Sequence, residues 1–150
     1  MQAKFNKFTT WVPDEWLDQS TITFCMPAST ELDAPLSGGK SQAQSAANFV
    51  VTWEKSKGQS LPHYGKERLA KLKDSLPGFK LVEEGIKSSD GEETFYAEYH
   101  IVMTPPLTQL VQIKNIDGDF VCLTGTAVQN VYPEVKEQFK KSMQVLKLNN

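Results

Sequence analysis

Arginine is almost missing. Of the 16 basic residues in this 150-residue chain, 15 are lysines and Arg68 is the lone guanidinium, and the net charge is −2. Nucleic-acid readers need forked Arg contacts and a positive field, so general DNA or RNA binding is excluded. Cysteine and histidine are scarce too: Cys25, Cys122, His63 and His100, with no CxxC or HxxxH spacing. That leaves no recognisable zinc site. No run approaches the ~18 apolar residues a membrane-spanning helix needs. The opening MQAKFNKFTTWVPDEW has neither an apolar leader core nor a small-residue cleavage site, so no secretory signal is expected. The expected compartment is the cytoplasm, where both cysteines stay thiols. Each sits in an apolar, strand-like stretch and reads as a small buried hydrophobe.

Catalytic patterns are equally sparse. Gly38-Gly39-Lys40-Ser41 resembles the end of a phosphate-binding loop, but Ala34 stands where the first glycine is required. No GxSxG elbow occurs, and neither histidine has a nucleophile at a meaningful spacing. The acidic stretch Asp90-Gly91-Glu92-Glu93 lacks the ligand order of a calcium loop and reads as a charged strand edge. The expectation is a non-enzyme with no cofactor and no metal.

What the chain does have is an ordinary globular composition, 39% hydrophobic and 23% charged, at the length of one domain. A single domain over 1–150 is expected. Residues 4–12 read as a strand or hairpin arm, and Pro13-Asp14-Glu15-Trp16 as a turn. Residues 20–26 alternate as a half-buried strand. The stretch 27–46 is small, polar and Gly/Pro-punctuated, and reads as an extended flexible loop. A strand follows at 47–54. Pro62 and Pro77-Gly78 bracket a helix over 61–76, with Leu61, Tyr64, Leu69, Leu72 and Leu76 on one stripe. Strands are predicted at 79–84, 94–103, 107–116 and 119–126, with Asp117-Gly118 as a hairpin turn. Pro133 opens a second amphipathic helix over 133–146, built on Val135, Phe139, Met143 and Leu146.

Hairpins without βαβ alternation predict an α+β fold, with a mainly antiparallel sheet of six or seven strands. Both helices are expected on one face. Ile22, Phe24, Phe49, Val51 and Trp53 would point to them. The pleat would then send Thr21, Thr23, Asn48, Val50 and Thr52 to an open face, joined by Leu110, Gln112 and Lys114. Hydroxyls, amides and small aliphatics on such a face suit a peptide or helix ligand.

A wider resemblance rests on several stretches in order. They are Phe8, Val12-Pro13-Asp14, Trp16, Asp18-Gln19-Ser20, Phe24 and Pro27-Ala28. Asn48-Phe49-Val50-Val51 follows, then Tyr64, Leu69 and Leu76-Pro77-Gly78-Phe79-Lys80-Leu81. The set ends with Gln112, Leu123-Thr124 and Phe139-Lys140-Lys141-Ser142-Met143. Together they make the chain similar to the DcrB-related family, whose fold is PsbP-like. The likeness is strongest to the effector-associated chaperones of bacterial type VI secretion. It implies a cytoplasmic, homodimeric adaptor that shields hydrophobic N-terminal helices of a secreted effector before loading. It implies no nucleic acid and no membrane insertion of the adaptor itself. It also implies a groove in which Gln112 supplies an amide, Val50 an aliphatic and Thr52 a hydroxyl. Asn48 replaces a small polar residue, Thr21 and Thr23 replace aliphatics, and Arg68 stands where a second amide is expected. A non-catalytic binding module of the same fold, such as an immunity or envelope-stress protein, is the alternative.

Overall fold

The computed structural model describes residues 2–5, 8–11, 21–25 and 46–146. The predicted turn at 13–16 lies outside the described residues, as does the loop at 27–46 apart from Ala46, which is buried.

A short hairpin pairs β1 (Gln2–Phe5) with β2 (Phe8–Trp11). The main sheet is six-stranded and antiparallel throughout. It contains β3 (Thr21–Cys25), β4 (Ala47–Lys55), β5 (Phe79–Ser89), β6 (Glu92–Ile101), β7 (Leu107–Ile116) and β8 (Asp119–Val128). Their spatial order is β3-β4-β8-β7-β6-β5. Helix α1 (Leu61–Ser75) joins β4 to β5, and α2 (Tyr132–Gln144) follows β8. The α+β class and antiparallel sheet are as the sequence predicts. The strand at 79–84 extends further, to Ser89, because residues 79–89 pair with β6 through a bulge between Leu81 and Glu83.

Local chemistry sets the element ends. The Ser60 side chain accepts the His63 backbone N–H at 3.4 Å, Pro62 follows in the first turn, and the Leu76 N–H closes on the Leu72 carbonyl. Gly78 then leaves the helix with φ +58°, a conformation glycine adopts without strain. Asp117 and Gly118 both have positive φ, as a two-residue hairpin between β7 and β8 requires.

The helices do not share a face, and here the expectation is corrected. Leu61, Tyr64 and Leu69 of α1 pack with Phe95, Ala97, Tyr99, Val111, Ile113, Phe120 and Cys122. Val135, Phe139 and Met143 of α2 pack with Ala47, Leu110, Leu123 and Ala127, and with Phe49 and Val51. In the register, Val111 pairs with Thr124 and Leu110 with Gly125, so these two groups alternate along the same strands. One group points up from the pleat and the other down. Helices α1 and α2 therefore lie on opposite faces of the sheet. The physical cause is visible at Leu110-Val111 and Cys122-Leu123, adjacent apolar pairs buried on both sides of the central strands.

Each helix is also offset along the sheet. Helix α1 lies over β5, β6 and β7, whereas α2 lies over β4, β7 and β8. Glycines permit both close approaches. A Cβ on Gly65 of α1 would lie 2.4 Å from the Phe95 ring, and one on Gly125 of β8 would lie 2.4 Å from the Phe139 ring of α2. Among the described residues, each face thus has one half covered by a helix and one half clear of one.

Candidate functional site

On the α1 face, the half clear of helix lies over β3, β4 and the near side of β8. Its rows follow from pairing. Thr23, Val50 and Thr124 form one row, and Thr21, Thr52 and Cys122 the next. A third row runs Asn48, Thr126, Gln109 and Tyr99. Thr21 and Thr23 are exposed, and Asn48, Val50, Thr52 and Thr124 are half-buried. Every side chain in the middle of this strip is short, so the strip is a shallow lane beside α1.

Its width is set by sheet geometry. Six strands spaced ~4.8 Å apart span roughly 24 Å, and an α-helix is ~10 Å across with its side chains. A sheet face of this size accommodates two helices side by side at ordinary packing distance. Helix α1 takes one place and the lane is the other.

The border between them is polar and well connected. Gln109 accepts from the Tyr99 hydroxyl at 2.5 Å and donates to Thr126 Oγ1 at 2.9 Å. Tyr64 of α1 stacks on Phe120 with ring centroids 4.2 Å apart. Its hydroxyl donates to Glu54 and lies 3.7 Å from Cys122 Sγ. Arg68, one turn further along α1, is half-buried, hydrogen-bonds the Tyr64 hydroxyl and lies within electrostatic reach of Tyr99 and Cys122. Burial works against its charge and the Tyr64 hydrogen bond works for it, and a guanidinium keeps its proton in any case. Burial pushes the Tyr99 phenol up to about 12, and pushes the Cys122 thiol up as well. An elevated, buried thiol is a poor nucleophile, in keeping with the packing role the sequence assigns to Cys122.

Six of the eight predicted site residues meet at this lane: Thr21, Thr23, Asn48, Val50 and Thr52 line it, and Arg68 borders it. The other two do not. Leu110 is 5% exposed and belongs to the α2 core, and Gln112 pairs with Leu123 on the α2 face. Lys114 likewise faces α2 and donates to the Met143 carbonyl at 2.8 Å. The β7 amide on this face is Gln109, and Thr124 and Thr126 are further polar groups here that sequence reasoning missed. The readable signal was the Asp117-Gly118 turn. It pairs Val111 with Thr124 and Gln109 with Thr126, and so marks which β7 residues share a face with these threonines.

Two hollows lie elsewhere. One, of about 1040 Å³, is at the end of the sheet near Gln59, Glu92, Glu93 and Asn115. The other, of about 450 Å³, lies between α1 and β5, flanked by Lys66, Lys73 and Lys80. Neither includes a residue of the lane. Among the described residues, no helix is long and apolar enough to cross a membrane.

No family model matches the sequence, and no curated protein matches it. Solved structures do. The chain is similar to PA94 from Pseudomonas aeruginosa, a protein of unknown function, with TM-score 0.76 and 22% identity over 100% of this chain and 97% of that one. It is similar to the cyanobacterial PsbP, CyanoP, of Synechocystis, with TM-score 0.59 and 14% identity over 99% and 92% of the two chains. The Ran-binding protein Mog1p of Saccharomyces cerevisiae aligns at TM-score 0.50 and 10% identity, over 87% of this chain and 77% of that one. At these identities the likeness is one of architecture, and it makes this chain an α+β protein of PsbP-like fold.

Proposed function

We propose that this protein is an adaptor chaperone, which takes up an apolar helix of a secreted effector and shields it from water until the effector is loaded. The observation that carries this reading is the helix-wide lane beside α1, lined by Thr21, Thr23, Asn48, Val50, Thr52 and Thr124. Helices built for lipid aggregate in water because nothing covers their apolar surface. In a membrane they pack on neighbours through small residues, with Ser, Thr, Asn and Gln hydrogen-bonding across the contact. The lane offers that same set of groups on a rigid sheet. It can therefore stand in for a neighbouring membrane helix.

The sequence resemblance to the effector-associated chaperones of type VI secretion supplies the finer part of the proposal: the secretion pathway, a cytoplasmic site of action and a homodimeric adaptor. The test is co-expression with an effector fragment that carries its apolar N-terminal helices. The fragment is expected to stay soluble and co-purify with this protein, and to be lost from the soluble fraction with Val50→Trp, which fills the lane from a half-exposed position. Equal solubility of the fragment without the protein overturns the reading.

A further inference from the structure

We infer that Arg68 makes the lane selective for a helix that carries a carboxylate within its apolar surface. The inference rests on the reading of the lane as a helix site and goes beyond it by naming the chemistry of the helix.

The argument starts from position. Tyr64 fixes one turn of α1 onto β8, through its stack on Phe120 and its approach to Cys122. Arg68 follows four residues later and so lies on the same side of the helix. Its guanidinium hydrogen-bonds the Tyr64 hydroxyl and lies within electrostatic reach of Tyr99 and Cys122, where the rows of Thr52 and Asn48 run in from β4. This is the border between α1 and the lane.

The surroundings then decide the chemistry. The phenols and thiol around Arg68 stay protonated, since burial raises each of them. The carboxylate of Glu54 accepts the Tyr64 hydroxyl instead. Among the described residues, the ion pairs engage Lys55, Lys136 and Lys140, and none engages Arg68. Among the described residues, this half-buried cation with five donors thus has phenols and a thiol around it and no carboxylate paired with it. An incoming helix would strip its remaining water. A wholly apolar helix leaves the charge covered and unpaired, which is strongly unfavourable. A carboxylate meets the planar fork with two parallel hydrogen bonds. The lane therefore accepts one class of helix and penalises the other. Lysine is the base everywhere else in the chain, and an ammonium would not supply this forked geometry.

The probes are lysine-flanked Leu/Ala peptides of about 20 residues. They are blocked at both ends, so that no terminal carboxylate competes, and they differ at a central residue: Glu, Gln or Leu. Each is titrated against the full chain by fluorescence anisotropy. The Glu peptide is expected to bind roughly 30-fold tighter than the Leu peptide. Arg68→Gln is expected to bring the two to within about threefold, and Arg68→Lys to retain part of the preference with steeper salt dependence. Thermal melts check each variant, and the Lys variant carries the comparison if the Gln variant unfolds. Equal binding of the Glu and Leu peptides, both lost with Val50→Trp, overturns the selectivity and leaves the lane standing. Failure of all three peptides to bind overturns the lane and the inference together.

Discussion

Gln109 and Gln112 stand three residues apart on β7 and face opposite sides of the sheet. Gln109 joins Tyr99 to Thr126 on the α1 face, and Gln112 sits across from Leu123 on the α2 face. An odd separation along a strand always reverses the side chain. The first prediction follows. Gln109→Ala should weaken uptake of an apolar helix by about 5- to 10-fold, the worth of roughly one hydrogen bond. It should also lower the melting temperature, since Tyr99 loses its acceptor. Gln112→Ala should leave binding within about twofold, because its face meets α2 rather than the lane. Titration of the same peptide against both variants settles the order, and the reverse order would move the site to the other face.

Glu98 ties α2 to β6. It accepts the Tyr132 hydroxyl at 3.0 Å and pairs with Lys136 Nζ at 2.8 Å. Burial pushes its carboxyl up, but the hydrogen bonds from Lys136 and Tyr132 prevail and hold it below the ordinary carboxylate range. A carboxyl depressed in the folded state binds its proton more readily when unfolded. Its stabilisation is therefore complete above the unfolded value, about 4.3, and is lost as pH falls through the lower folded value. Glu98→Gln should cost roughly 1–3 kcal/mol near neutral pH. The gap from the parent protein should close below about pH 4. Urea melts from pH 3 to 7 measure it, and a gap independent of pH would remove the ion pair from the account.

The two helix seats predict a pair of overpacking effects. Gly65→Ala and Gly125→Ala each drive a methyl to 2.4 Å from an aromatic ring, Phe95 and Phe139 respectively. Each should destabilise by about 1–3 kcal/mol. At position 65 this must exceed the ~1 kcal/mol that alanine adds to a helix interior. Pairing Gly125→Ala with Phe139→Leu should recover part of the loss relative to the sum of the single changes. Additive losses in the double variant would show that the ring contact is not the cause.

Cys122 is 1% exposed, and burial raises its thiol. Iodoacetamide at pH 7.5 should leave the Cys122 peptide unmodified in the folded protein, by mass spectrometry, and label it fully in urea. Rapid labelling of the native chain would mean that this side of the sheet opens readily.

Much of this architecture was legible along the chain. The Asp117-Gly118 turn, Pro62, Pro77-Gly78 and the stripe of Leu61, Tyr64 and Leu69 mark element ends and faces by local rules. The α+β class follows from their order. Within the site, Thr21, Thr23, Asn48, Val50 and Thr52 share a face because the alternation of β3 and β4 is local and their mutual register keeps it. Leu110 and Gln112 were misplaced because β7 is apolar on both sides, and alternation loses its meaning where both faces are buried.

The residues by themselves determined the elements, the hairpins and the hydroxyl-rich side of β3 and β4, since each depends on neighbours within a few positions. Only the tertiary structure decided that α1 and α2 take opposite faces, that Gln109 rather than Gln112 meets the threonine rows, and that Arg68 stands at the lane's edge. Those outcomes depend on which strand lies beside which, in the order β3-β4-β8-β7-β6-β5. Long-range pairing is chosen by the total burial of both faces at once, a sum no short stretch of sequence contains.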